Sequence, residues 1–195
     1  MKKFLPVFCL FIGLQSTSAT ALEPFPQWLE QFKQHAITQG ISPQIVAESL
    51  NGLTPDEQVI ALDQKQPEST KTFTQYLGDV VNANRIRKGR EMMATYRPLL
   101  NEIGSAYGVQ PRFIVALWGI ETNYGGYTGN MSVINSLATL AWEGRRRDFF
   151  TEELLNALRI VQQGHITAAA MDGSWAGAMG QCQFMPSSFL NFAVD

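Results

Sequence analysis

The stretch "IVALWGIETNYGG", residues 114–126, decides how the chain is read. Pro111 suits the first turn of a helix just upstream, and Gly125-Gly126 stop it. Nearly every residue between is apolar, which predicts a buried helix over about 111–124. Glu121 breaks the pattern. Ile114, Leu117 and Trp118 lie seven, four and three positions before it and share its face. A carboxylate there sits either at the mouth of a cleft or in the core. Burial without a partner disfavours the charged form of any carboxylate. A carboxyl held neutral can donate a proton to a leaving group, as a general acid does at a glycosidic bond. The competing reading is a solvated Glu121 at a helix end, or one paired with an arginine of "GRRRDFF", residues 144–150. Position alone does not choose between them.

Outward from this stretch the signals are helical, with almost no strand pattern. "PFPQWLEQFKQHAITQG" carries Trp28, Leu29, Phe32 and Ala36 near helical spacing and ends at Gly40. Ser42-Pro43 and Thr54-Pro55 each read as an N-cap followed by proline, predicting helices over about 43–51 and 55–63. A short helix and a long one come next, the latter from about 82 to 107, with Pro98 kinking or breaking the second. Further helices are expected over 132–143 and 147–163. From Ala168 the chain turns rich in Gly, Ala and Ser, and reads as a closely packed irregular segment before a short helix after Pro186. One mainly α-helical domain is the simplest architecture.

The chain has 195 residues, 45% of them hydrophobic, enough for one core. Its first residues have an export-signal pattern. Lys2 and Lys3 precede an apolar run from Phe4 to Leu14, too short to span a bilayer, and Ala19-Thr20-Ala21 fits a cleavage site. Cleavage after Ala21 would remove two lysines and no acid, taking the net charge from −2 to −4. A weakly acidic protein is a poor nucleic-acid binder. Cys9 lacks the small-residue run of a lipidated cysteine, so no stable membrane anchor is expected. Cys182 alone would remain, which rules out an internal disulfide.

Three segments then carry a specific likeness. "RFIVALWGIETNYG" (112–125), "SLATLAWEGRRRDFFTEELLNALRI" (136–160) and "GSWAGAMGQCQFMPSSFLNFAVD" (173–195) resemble the MltB-type lytic murein transglycosylases. The likeness extends upstream through "LTPDEQVIALDQKQPE" and "RIRKGREMMATYRPLLNEIGSAYGV". It implies a lysozyme-like, mainly α domain over residues 22–195, behind a signal peptide at 1–21. It also implies a periplasmic location, peptidoglycan glycan strands as substrate, and other cell-wall enzymes as possible partners. The family continues beyond Asp195. The resemblance therefore implies that the C-terminal part of the family domain is missing and that this polypeptide alone is poorly active.

By motif position, Glu121 matches the single catalytic glutamate of a family that cuts the β-1,4 bond between N-acetylmuramic acid and N-acetylglucosamine. The product carries a 1,6-anhydromuramyl end, and neither cofactor nor metal is implied. Ser174 and Gln183 match positions lining the cleft. Arg145 and Arg146 match a pair near the substrate's peptide or lactyl groups. The chemistry agrees: amides and hydroxyls suit sugars, and guanidinium suits carboxylates. Plainer readings stay open, namely loop hydrogen bonding for Ser174 and Gln183, and an ion pair with Glu143 or Asp148 for the arginines. Ordinary glycosidases use two carboxylates; no second acid stands at short spacing from Glu121, although folding could bring Asp172 near. Rival functions are a non-catalytic peptidoglycan binder and a hydrolytic muramidase. A thiol hydrolase on Cys182 with His35 or His165 lacks any surrounding signature.

Overall fold

The structure, a computed structural model, describes residues 22–65 and 71–194; the expected leader at 1–21 lies outside the described residues. Ten helices run in chain order among those residues: α1 (Phe25–Thr38), α2 (Pro43–Leu50), α3 (Glu57–Lys65), α4 (Phe73–Val80), α5 (Ala83–Thr95), α6 (Arg97–Tyr107), α7 (Pro111–Thr122), α8 (Val133–Glu143), α9 (Arg147–Gln162) and α10 (Pro186–Phe192). One two-stranded antiparallel ladder joins β1 (Met131–Ser132) to β2 (Asp172–Gly173), pairing Met131 with Gly173. The mainly α reading is thus correct.

The expected inner face of α1 is the observed one: Trp28, Leu29, Phe32 and Ala36 are all buried. Phe25 meets the Trp142 ring edge-on at 5.5 Å, and Trp142 Nε1 donates to the Glu23 carbonyl at 2.6 Å. At the start of α2 the Ser42 hydroxyl accepts from Ile45 N–H, as its sequence suggests. The next cap differs from expectation. Asp56, not Thr54, accepts from Gln58 N–H (2.8 Å) and Val59 N–H (3.3 Å), so α3 begins two residues later. A carboxylate both satisfies orphan N–H groups and complements the helix dipole. Pro98 breaks the long helix as expected. Lacking a donor, and with a ring that obstructs the preceding turn, it sits in the first turn of α6, and Tyr96 closes α5.

The core gathers α1, α2, α3, α8 and α9 around α8, in which eight of the eleven residues are buried. Leu137, Leu140, Leu154, Leu155 and Leu158 lie fully inside. Each contributes about 1.5–3 kcal/mol relative to an exposed side chain. The Gly-rich segment after Ala168 packs onto this tier through Met171, Trp175, Met179 and Met185. Gly177 shows why glycine is needed there: with φ +88° it also lies against Leu137, where a Cβ would come within 2.5 Å of Leu137 Cδ2.

A second tier, α4–α7, is far less buried. α4 has no buried residue, α5 buries Gly89 and α6 buries Leu100. No helix of the described residues is long and apolar enough to cross a membrane.

Candidate active site

Glu121 lies in the last turn of α7, and its surroundings correct the expectation of a buried stripe. The inner face of α7 is Val115, Gly119 and Thr122. The face shared with Glu121 looks outward: Leu117 is 60% exposed, Ile114 and Trp118 are half-buried, and Glu121 itself is exposed. The inner positions keep the i, i+4, i+7 spacing of a helix contact, but two of them are small or polar. The carboxylate is therefore not withdrawn from water in the free chain.

Just past Glu121 the backbone reverses in an uncommon conformation. Asn123, Tyr124 and Gly125 take successive positive φ angles of 51°, 63° and 72°. A left-handed non-glycine residue costs about 1–2 kcal/mol, with asparagine the better tolerated. Tyr124 is held there from several sides. Its hydroxyl donates to the Arg85 carbonyl on α5 at 2.8 Å, its ring meets Trp118 edge-on at 5.6 Å, and Lys88 Nζ lies 5.5 Å from the ring centre. Burial pushes the Tyr124 hydroxyl pKa above its ordinary value, partly opposed by the nearby Arg85 cation.

The reversal brings the end of α7 against the Gly-rich segment, and Gln181 is the joint. Trp118 Nε1 donates to Gln181 Oε1 at 2.7 Å. The Thr122 hydroxyl donates to the Gln181 carbonyl at 2.9 Å and accepts from Gly125 N–H at 3.0 Å. Gln183, with φ +48°, donates from Nε2 to the carbonyls of Thr128 and Gly180, both at 3.0 Å. The Ser174 hydroxyl accepts from Ala178 N–H at 3.0 Å. Both side chains thus shape the loop that faces α7. Beside them a recess of about 340 Å³ is lined by Thr128, His165, Asp172, Met179 and Phe189, among others. Cys182 is exposed, while the His165 ring rests edge-on against Phe189 and His35 lies near Phe32.

The arginine pair lies at the α8–α9 corner and is tied to α3. Arg145 Nε and Nη2 donate to Asp63 Oδ2 (2.8 Å) and Oδ1 (2.6 Å), and Arg146 Nη2 reaches Oδ1 at 3.3 Å. Among the described residues Asp63, rather than Glu143 or Asp148, is the ion-pair partner of both. Glu143 instead accepts from the Arg145 backbone N–H at 3.3 Å. The hydrogen bond to Asp63 is the main reason the Arg145 pKa is raised above its ordinary value.

Sequence reading missed Gln181 and Asp63. Asp63 left one trace, standing four residues after Val59 on the inner face of α3. Nothing in the sequence singled out Gln181.

The mainly helical, lysozyme-like architecture is that of the lytic transglycosylases whose solved structures it matches. Residues 24–195 match the Transglycosylase SLT domain family, and the chain belongs to it. It is 32% identical over 142 residues to membrane-bound lytic murein transglycosylase B of Escherichia coli K12, covering 72% of this chain and 39% of that protein. SltB3 from Pseudomonas aeruginosa, solved in complex with NAG-NAM-pentapeptide, matches with a TM-score of 0.85 at 43% identity, covering 89% of this chain and 46% of that one. The Escherichia coli lytic transglycosylase Slt35, solved with bulgecin A, matches with a TM-score of 0.77 at 30% identity, covering 86% and 54%. The chain thus spans about half the length of these relatives or less.

Proposed function

We propose that the chain carries the acid–base centre of a periplasmic lytic murein transglycosylase, exported by residues 1–21, with Glu121 as its single general acid and base. The observation that supports this most is the joint at Gln181. It ties the helix end bearing Glu121 to the segment that carries Ser174 and Gln183, through Trp118 and Thr122, which supports reading that carboxylate together with those amide and hydroxyl groups.

In this reading Glu121, protonated, gives its proton to the glycosidic oxygen between N-acetylmuramic acid and N-acetylglucosamine. The C1–O4 bond breaks, and the N-acetylglucosamine leaves with a free 4-hydroxyl. The muramyl C6 hydroxyl oxygen then closes onto C1, and the Glu121 carboxylate takes the hydroxyl proton. The product is a 1,6-anhydromuramyl end; no water is consumed, and Glu121 finishes protonated. A second carboxylate is unnecessary because the nucleophile belongs to the substrate. Glu121 faces water in the free chain, so the seated glycan must itself displace that water and supply the low-dielectric surroundings. Ser174 and Gln183 border the sugars, and Arg145 and Arg146 meet the carboxylates of the muramyl substituents.

Digesting murein sacculi with residues 22–195 and weighing the products tests this. Anhydromuramyl ends, lost in Glu121→Gln while sacculus binding persists, are expected. Reducing ends would instead identify a muramidase, and binding without products a peptidoglycan-binding fragment. Full turnover by Glu121→Gln would remove this residue from the chemistry.

A further inference from the structure

Asp63 is the feature the proposed chemistry leaves unused. Its side chain is 2% exposed, whereas the Arg145 and Arg146 side chains it holds are 47% and 45% exposed. A buried carboxylate is retained at a cost unless it is fully engaged. Here Arg145 forks onto both oxygens, and its Nη2 also reaches the Asp63 carbonyl at 3.2 Å. Arg146 adds its Nη2 to Oδ1, while its guanidinium carbon lies 4.7 Å from the Phe150 ring centre and 5.9 Å from that of Phe149. The consequence is directional. Among the described residues, Nη1 of Arg145 and both Nε and Nη1 of Arg146 keep donors without a protein acceptor. Those donors sit on guanidinium planes fixed from behind, and fixing two long side chains in advance removes ordering cost from any later contact.

We propose that Asp63 is a positioning residue: from the buried side it locks Arg145 and Arg146 so that their remaining donors receive a carboxylate of the muramyl glycan. This rests on the reading of the arginine pair as substrate contacts. The carboxylate has two possible sources, the lactyl group of N-acetylmuramic acid or the peptide attached to it.

Calorimetric titration with three probes tests the proposal: NAG-NAM-pentapeptide, NAG-NAM with its free lactyl group, and chitotetraose, which has no carboxylate. Asp63→Asn should weaken the probe that carries the recognised carboxylate roughly tenfold, the worth of a charge-assisted contact, and leave chitotetraose unchanged. Asp63→Glu, which keeps the charge but displaces the fork, should fall between. Whichever carboxylate probe loses affinity names the source. Should Asp63→Asn fail to fold, Arg145→Lys carries the test, since it keeps the charge and forfeits the bidentate geometry. Equal weakening of all three probes would mean that Asp63 only supports the fold, and the proposal falls. If an Arg145→Gln/Arg146→Gln double variant keeps the wild-type ratio between probes, the substrate role of the arginines is what fails. If that ratio collapses in the double variant but survives Asp63→Asn, Asp63 alone is at fault. A wild-type chain that binds none of the probes overturns both.

Discussion

Tyr124 occupies the space that a side chain on Gly119 would need: a Cβ there would come within 2.5 Å of the phenol oxygen. The same hydroxyl lies 2.6 Å from where a Cβ on Gly89 would stand. Two helices are thus brought together by one aromatic group fitted between two bare backbones. Gly119→Ala should cost about 1–3 kcal/mol through overpacking. Urea denaturation would measure it, and an unchanged midpoint would mean that the ring has free room to move.

The Tyr124 hydroxyl also makes an alkaline prediction. Its pKa is raised in the fold, so the folded chain holds that proton more tightly than the unfolded chain. The stabilisation is therefore fully present below the unfolded tyrosine pKa of about 10, and is lost as pH climbs through the higher folded value. Tyr124→Phe should flatten this limb of the stability–pH curve. At neutral pH it should cost about 1 kcal/mol for the lost bond to Arg85.

Glu153 of α9 is buried and accepts both the Ser187 N–H (2.9 Å) and the Ser187 hydroxyl (2.5 Å), which fastens the start of α10. Ser187→Ala removes one of those donors from a buried acceptor. A loss of about 1–3 kcal/mol is expected, read from the denaturation midpoint. Ser187→Thr, which restores a hydroxyl, should recover part of it.

Burial differs so much between the two tiers that opening should be local. Amides of α8 and α9 should exchange hydrogen only on global unfolding, whereas those of α4 and α5 should exchange by smaller openings. Hydrogen exchange read by mass spectrometry compares them directly, and uniform protection across both tiers would contradict the assignment.

The helices were legible wherever one face alone was apolar. α1 is the plain case, with Trp28, Leu29, Phe32 and Ala36 inside. α7 was not, because it is apolar nearly all round, and periodicity cannot choose a face when Phe113, Val115, Leu117 and Ile120 point in different directions. Its inner side was chosen by Gly119 and Thr122, whose value lies in close approach and hydrogen bonding rather than hydropathy. Asp63 was missed for another reason. Its partner stands 82 positions away in the chain, and no local spacing rule reaches that far. The Pro98 break, by contrast, depends on one residue and its immediate neighbours.

The Gln181 joint fastens the loosely packed tier of the fold to the firmly packed one. A saccharide lying across both would act as a splint. Its binding should raise the unfolding temperature of the softer helices more than that of the firm core, since only the bridged form gains by mass action.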